Sequence, residues 1–163
     1  MPATPQLSID WCDPKQKISD YFSVGEALYL PRWERLANEQ DGLSDDSKTA
    51  LALLFQKMDK VRELLCVPII VHVSYRPLAY NTLIGGAIDS SHIARLIGSY
   101  YVAACDFHPL LDYATQGEKC DAGKRMLTSQ LDTLGLRMEN NQKGSSWIHL
   151  DTHPVVDSRF FNP

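Results

Sequence analysis

The segment Ser47–Leu65 constrains the fold most, because its apolar residues recur at spacings of three and four residues. The positions that share this spacing are Leu51, Leu54, Met58, Val61 and Leu65. The pattern predicts an amphipathic helix that is capped by Ser44 or Ser47 and ends before Pro68. The apolar run Val67–Val73 follows at once and predicts a buried strand. A helix that leads directly into a buried strand indicates a sheet with helices packed against it.

Weaker patterns extend this prediction to the rest of the chain. The other predicted elements are a short helix within Leu28–Glu39 that starts after Pro31, a strand at Tyr100–Asp106, a helix at Asp121–Leu134 capped by Gly135, and a hairpin of strands at Leu136–Glu139 and Trp147–Asp151. Residues 1–16 are expected to be extended, and residues 152–163 to dock on the body through Phe160 and Phe161. We therefore expect one α+β domain spanning residues 1–163, with a small, mainly antiparallel sheet and helices packed on it.

Composition and charge exclude several classes of protein. A length of 163 residues suits one domain with a substantial core, and the net charge of −4 argues against a nucleic-acid or anionic-membrane partner. No apolar run approaches the roughly 20 residues of a membrane helix. Residues 1–10 have neither the basic nor the apolar region of a signal peptide. The four cysteines form no C-x-x-C pair, and we expect them to be reduced and packed in the interior. We expect the protein to be a monomer.

A separate set of residues carries chemistry. His92 and Asp106 are expected to lie near one another at strand ends, and His149 lies in another strand-like segment. Two imidazoles and one carboxylate, with a fourth position for water, form a recurrent catalytic zinc site. Alternate residues of a strand share a face, so Trp147, His149 and Asp151 point together. A face with this composition is typical of a cleft.

Arg76 lies between the end of the strand Val67–Val73 and a predicted cleft loop, and it is expected to present a fixed cation. A guanidinium there can bind a substrate carboxylate or stabilise a developing oxyanion. Two other histidines are interpreted without a role in metal binding: His72 as a satisfied strand residue and His108 as a loop residue.

The same residues fall into an ordered set of motifs. From Ser74 the chain reads S-Y-R-x-x-x-Y-N-x-x-x-G-G-A, followed by S-x-H, A-x-D and W-x-H. This order resembles the zinc D-Ala-D-Ala carboxypeptidases and peptidoglycan endopeptidases, in particular short peptidases of phages and bacteria. The resemblance extends from Ile18–Glu26 to Arg159–Phe161. It implies that the zinc ligands are His92, Asp106 and His149 and that the residues binding or polarising the substrate are Ser90 and Arg76.

Two features depart from the family pattern. The family has six residues between the first histidine and the aspartate, whereas Ile93–Cys105 make thirteen here, an insertion of seven. Many members also place a carboxylate three residues before the last histidine, where this chain has Ser146. The candidates for the general base are therefore Glu139, Asp151 and Asp89. We favour Glu139 as the base and Asp151 as a partner that orients a ligand imidazole.

Two functions from different classes fit these observations. The first is a zinc peptidase that cleaves a D-Ala-D-Ala or L-Ala-D-Glu type bond in peptidoglycan stem peptides. The second is a non-catalytic phage structural or cell-wall-binding module on the same scaffold. A cytoplasmic D-Ala-D-Ala dipeptidase is a third, weaker reading. Without a signal peptide, the protein is expected to be made in the cytoplasm and to reach the wall through lysis or as part of a virion.

Overall fold

The structure, a computed structural model, describes residues 8–162 and has the α+β architecture expected from the sequence. The helices are α1 (Val24–Leu28), α2 (Asp45–Leu65), α3 (Leu78–Leu83), α4 (Gln116–Leu127) and α5 (Leu131–Leu134). The strands are β1 (Tyr29–Leu30), β2 (Arg35–Leu36), β3 (Ile69–Val73), β4 (Arg95–Ile97), β5 (Tyr100–Val102), β6 (Ala104–Pro109), β7 (Arg137–Glu139), β8 (Ile148–Asp151) and β9 (Phe160–Phe161). The central sheet has the order β3-β6-β8-β7-β9, in which only β7 and β9 are parallel. The prediction of a small, mainly antiparallel sheet is confirmed.

Helix α2 begins and ends close to its predicted bounds. The Ser44 hydroxyl accepts a hydrogen bond from the Ser47 backbone amide, which satisfies one of the free N–H groups at the helix start. Cys66 then takes a left-handed conformation that ends the helix just before β3. The predicted apolar stripe of α2 is buried in the main hydrophobic core, together with residues of β6, β8 and α4.

Asp59 is an exception to the polar outer face that the sequence predicts for α2. Its side chain is buried and accepts three hydrogen bonds: from the Ser19 hydroxyl at 2.8 Å, the Asp20 amide at 2.9 Å and the Tyr21 amide at 3.1 Å. The residue that caps α1 is Ser23, whose side chain accepts a hydrogen bond from the Glu26 amide. Asp59 therefore anchors the segment that precedes α1.

We expect Asp59→Ala to lower the free energy of unfolding by about 1–3 kcal/mol, because it leaves buried donors without an acceptor. Denaturant unfolding measures this change. Asp157→Ala is the control, since Asp157 is exposed. Equal unfolding midpoints for the two variants would contradict the anchoring role.

The two central strands carry helix-facing and cleft-facing residues in alternation. Phe107 pairs with Ile148, and both are buried in the core, whereas Asp106 pairs with His149 on the opposite face. Asp106 thus lies inside β6 and not at a strand end as predicted. Helix α4 packs closely on the core face, because a Cβ at Gly123 would meet the Ile148 side chain at 2.9 Å.

The extra residues between His92 and Asp106 form a hairpin beside the sheet. The predicted strand Tyr100–Asp106 is divided into β5 and β6, and β5 pairs with β4 through a turn at Gly98, where φ is +59°. The hairpin packs on α2, and the Ser47 hydroxyl donates to the Ala94 carbonyl at 2.7 Å. The insertion therefore forms a hairpin beside the site, and His92 and Asp106, which flank it, still lie close together.

Two predicted helices differ from the structure. The segment Leu28–Glu39 is a short β1–β2 hairpin, because Pro31 and Glu34, with φ of +52°, form its turn rather than the start of a helix. Helix α4 begins five residues before the predicted Asp121. Its start is fixed by a capping box in which Thr115 and Glu118 each accept the other's backbone N–H. After a 3-10 turn, α5 ends at Gly135 as predicted, with φ of +64°.

The chain termini flank this body. Residues 1–7 of the predicted extended segment lie outside the described residues, and residues 8–16 form turns, with amide-to-carbonyl hydrogen bonds from residue 13 to 10 and from 16 to 13. Phe160 and Phe161 form β9 against β7. All the cysteines are free thiols, but Cys12 and Cys66 are exposed and not packed as expected. Within residues 8–162, no helix has the length and apolarity needed to cross a membrane.

Candidate metal centre

Three side chains meet on the cleft face of the sheet. His92, in a 3-10 turn after α3, places its Nε2 3.2 Å from the Nδ1 of His149 and 3.2 Å from the Oδ1 of Asp106. The remaining distance, from His149 Nδ1 to Asp106 Oδ1, is 2.8 Å. All three residues are buried. The structure therefore brings together the three residues that the sequence predicts as ligands.

The other polar atoms of these residues also have partners. His92 Nδ1 lies 2.7 Å from the Ser74 carbonyl oxygen and donates its N–H to it, so the free lone pair of this ring is on Nε2. His149 Nε2 lies 3.5 Å from Asp151 Oδ2, so an Nε2 proton faces Asp151 and Nδ1 is the ring atom that faces His92 and Asp106. The second oxygen of Asp106 accepts from the Arg76 guanidinium at 2.8 Å. Outer partners of this kind fix the orientation and tautomer of metal ligands.

Asp151 is held in place by a dense set of donors. Arg137 donates to both of its oxygens, at 2.9 and 2.8 Å, and the Ser91 hydroxyl donates at 3.1 Å. The backbone amide of His153 adds a fourth bond. Burial raises the pKa of Asp151, but the bonds from Arg137 and His149 outweigh it and hold this pKa well below its ordinary value. Asp151 is therefore a fixed anion beside His149, and its lone pairs are already engaged.

The electrostatics of the three residues favour a cation between them. Burial opposes a charge on His149, yet the hydrogen bonds and negative charges of Asp106 and Asp151 raise its pKa to about 9. Burial likewise opposes charge on Asp106, but His92 and His149 keep the pKa of this carboxyl well below its ordinary value. The site thus stabilises positive charge at a buried position.

The geometry fits zinc. Tetrahedral zinc with bonds of about 2.0–2.1 Å separates neighbouring ligand atoms by roughly 3.3 Å, close to the observed 2.8 to 3.2 Å. Imidazole nitrogen and carboxylate oxygen are both ordinary zinc ligands, and three protein ligands leave a fourth position open. His92, Asp106 and His149 are the one group of at least three potential ligands found within residues 8–162.

Glu139 is the carboxylate beside the site with free acceptor atoms. Its Oε2 lies 3.9 Å from His149 Nδ1, and no side chain of the described residues donates a hydrogen bond to it. Burial and the nearby negative charge of Asp106 raise the pKa of Glu139. Asp89, the other candidate, lines the same cleft at an exposed position. The structure thus distinguishes Glu139 from Asp151, whose oxygens are occupied.

An open cleft of about 500 Å³ surrounds these residues. Trp147 lines it, as expected from strand alternation. Ser90 also lines it, but its hydroxyl accepts from the His92 amide at 3.3 Å and so helps to shape the turn that carries His92. Arg76 is more engaged than the sequence suggests, because one of its amino groups is bound to Asp106.

The GGA motif forms one wall of the cleft. Gly85 has φ of +72°, and Asn81 donates to the Ala87 carbonyl at 2.8 Å. A Cβ at Gly86 would lie 2.2 Å from the Asn81 amide oxygen, so only glycine fits against this side chain. The loop therefore holds Ala87 and Asp89 at the rim.

Several cleft residues were missed by the sequence analysis. Arg137 lies two residues before Glu139, so strand alternation could have placed it on the cleft face. Ser91 and His153 gave no signal, because their roles depend on contacts with Asp151 across the fold. Phe161 was expected only to dock the tail, but its ring packs edge-on to His149 with centroids 5.6 Å apart.

We expect Asp151→Asn to weaken zinc binding by about 10- to 100-fold, because a neutral amide orients His149 less firmly and leaves Arg137 without its anion. Competition with a coloured chelator measures the affinity. Asp132→Asn is a matched control, since Asp132 pairs with Arg159 at an exposed position away from the cleft. Unchanged affinity in Asp151→Asn would rule out the orienting role.

Comparison with known proteins agrees with this geometry. A family model described as Peptidase M15 matches residues 33–151, which include the three candidate ligands, Arg76 and Glu139. Neither the curated proteins nor the solved structures contain a significant match. The matched region covers most of the chain, and the resemblance to the zinc carboxypeptidases is confirmed. The chain therefore belongs to the peptidase M15 family.

Proposed function

We propose that this protein is a zinc-dependent peptidase that hydrolyses peptidoglycan stem peptides. The observation that carries the proposal is the buried group of His92, Asp106 and His149 at the floor of an open cleft, in a chain whose family supports a metallopeptidase. Zinc held there would polarise the scissile carbonyl and lower the pKa of a water molecule toward neutrality. The ligand roles, the metal and the substrate are parts of one proposal.

The residues around the ligands would divide the remaining work. Glu139 accepts the proton of the attacking water and later returns it to the leaving amine. Arg76 holds Asp106 in place through one amino group, and its remaining donors can stabilise the developing oxyanion. Asp151 keeps His149 oriented and does not exchange protons, because its oxygens are occupied.

The cleft supports a peptide substrate bound beside a divalent metal ion. Arg76 and Arg137 each face a buried aspartate, so neither cation stands alone. The carboxylates of Glu139 and Asp89 therefore give the cleft a net negative charge. A divalent metal ion would balance this charge. A cleft of about 500 Å³ holds a few residues of an extended peptide beside Trp147. The family resemblance supplies the candidate bonds, D-Ala-D-Ala or L-Ala-D-Glu.

Metal content and peptidoglycan digestion together test the proposal. We expect about one tightly held zinc per chain in the purified protein and none in Asp106→Ala. Digested peptidoglycan should release fragments whose masses identify the cleaved bond. Absence of stoichiometric zinc after its addition would overturn the metal assignment. One bound zinc without hydrolysis of any stem peptide would overturn the enzymatic proposal in favour of a wall-binding module.

A further inference from the structure

A pair of histidines outside the candidate metal centre lies on the neighbouring strands β3 and β6. His72 Nε2 is 2.7 Å from His108 Nδ1, and the ring centroids are 4.9 Å apart. Both side chains are partly buried. The outer ring nitrogens, His72 Nδ1 and His108 Nε2, have no hydrogen-bond partner among residues 8–162. Two imidazole nitrogens therefore face each other in a position that solvent can reach.

The strands fix this pair beside the cleft. His108 follows Asp106 by two residues on β6, so it shares the cleft face and lies about 7 Å further along the strand. His72 lies where the register of β3 and β6 shifts, between Val71 and Val73. At this position the His72 ring reaches His108 on the neighbouring strand. Neither histidine belongs to the group of His92, Asp106 and His149.

The contact between the two rings shows that a lone pair is present at the pair. The 2.7 Å between His72 Nε2 and His108 Nδ1 is the length of a hydrogen bond, in which one nitrogen donates its N–H to the lone pair of the other. At least one ring is therefore a neutral imidazole, which is the form that binds metal.

We infer that His72 and His108 form a second metal site, for a divalent ion that favours imidazole, such as Zn²⁺, Cu²⁺ or Ni²⁺. Binding requires lone pairs on both facing nitrogens. The ring that donates the N–H can change tautomer, so that its proton moves to the outer nitrogen. No hydrogen bond is broken by this change, because the outer nitrogen has no partner among residues 8–162. The nitrogens then separate from 2.7 Å to roughly 3.3 Å by small ring rotations.

Water completes the coordination at this second site. Residues 8–162 provide no third histidine, cysteine or carboxylate ligand near the pair. The site is therefore weaker than the three-ligand centre and fills only after it. A metal ion bound there would lie at the end of the cleft, and its presence does not depend on the proposed peptidase activity.

Zinc titration followed by calorimetry tests the second site. The comparison uses wild type, His72→Gln, His108→Gln and the control Asp132→Asn, which changes an exposed side chain away from the cleft. We expect saturation at two zinc ions per chain in wild type and in Asp132→Asn. We expect one per chain in each of the other two variants, with the tight phase unchanged, which also reports that they are folded.

Two outcomes would overturn the inference. One is a wild type without the weaker phase. The other is a weaker phase that survives in either His72→Gln or His108→Gln, because a shared ion needs both rings. A failure of the proposed three-ligand centre would give a different result. The tight phase would then be absent from all four proteins, whereas the weaker phase would still distinguish wild type and the control from the two histidine variants.

Discussion

Replacement of His149 by alanine is expected to remove both bound zinc and hydrolysis, each to below detection. In the proposed metal centre, His149 would supply one of three ligand atoms, and its Nδ1 lies 3.2 Å from His92 Nε2 and 2.8 Å from Asp106 Oδ1. Without His149, two candidate ligands remain, and the Asp106 carboxylate faces an open space beside Arg76. Elemental analysis of the purified variant and a stem-peptide cleavage assay measure the two losses.

His153→Ala is the control for this variant. His153 lines the same cleft four residues along the chain, and the one hydrogen bond of its ring within residues 8–162 is to the adjacent Pro154 carbonyl. It should keep both zinc and activity. Thermal unfolding of His149→Ala distinguishes loss of the ligand from loss of the fold. Hydrolysis by a zinc-free His149→Ala protein would exclude the proposed mechanism.

The sequence proposed three candidate ligands that the structure brings together, but it did not predict their surroundings. Motif order indicated His92, Asp106 and His149, and strand alternation placed Asp151 on the face of His149. The sequence did not show that Asp106 lies inside β6, because Tyr100–Asp106 reads as one apolar run. Only the pairing of β5 with β4 reveals that the run is divided and that the insertion is a separate hairpin.

The other wrong predictions come from local sequence patterns that are compatible with two different structures. Pro31 is compatible with the first turn of a helix and with a hairpin turn, and tertiary contacts such as Trp33 against Tyr80 accompany the second. Asp59 has the spacing of a solvent-facing helix residue, but donors from residues 19–21 make its burial favourable. Such long-range partners leave no periodic trace in the sequence. In contrast, the long stripe of α2 and the glycine at position 135 each had one reading, and both predictions are confirmed.

The family pattern did not supply a candidate general base, because Ser146 stands at the usual position of the carboxylate. In the structure, Glu139 on β7 approaches the candidate ligands from the adjacent strand, with Oε2 3.9 Å from His149 Nδ1. Burial raises the pKa of Glu139 and so makes the ionised carboxylate a stronger base. A carboxylate can thus reach the same region from a different strand.

We expect Glu139→Gln to retain one zinc per chain and to lower kcat by about 10²- to 10⁴-fold, the usual contribution of a general base, with little change in KM. The amide is nearly isosteric but cannot accept the proton. Asp89→Asn, at the exposed rim of the same cleft, should keep kcat close to the wild-type value. Steady-state kinetics with a purified stem peptide, on protein of measured zinc content, distinguishes the two carboxylates. If Glu139→Gln were fully active and Asp89→Asn inactive, the proton would pass through Asp89, and β7 would serve only to support the cleft.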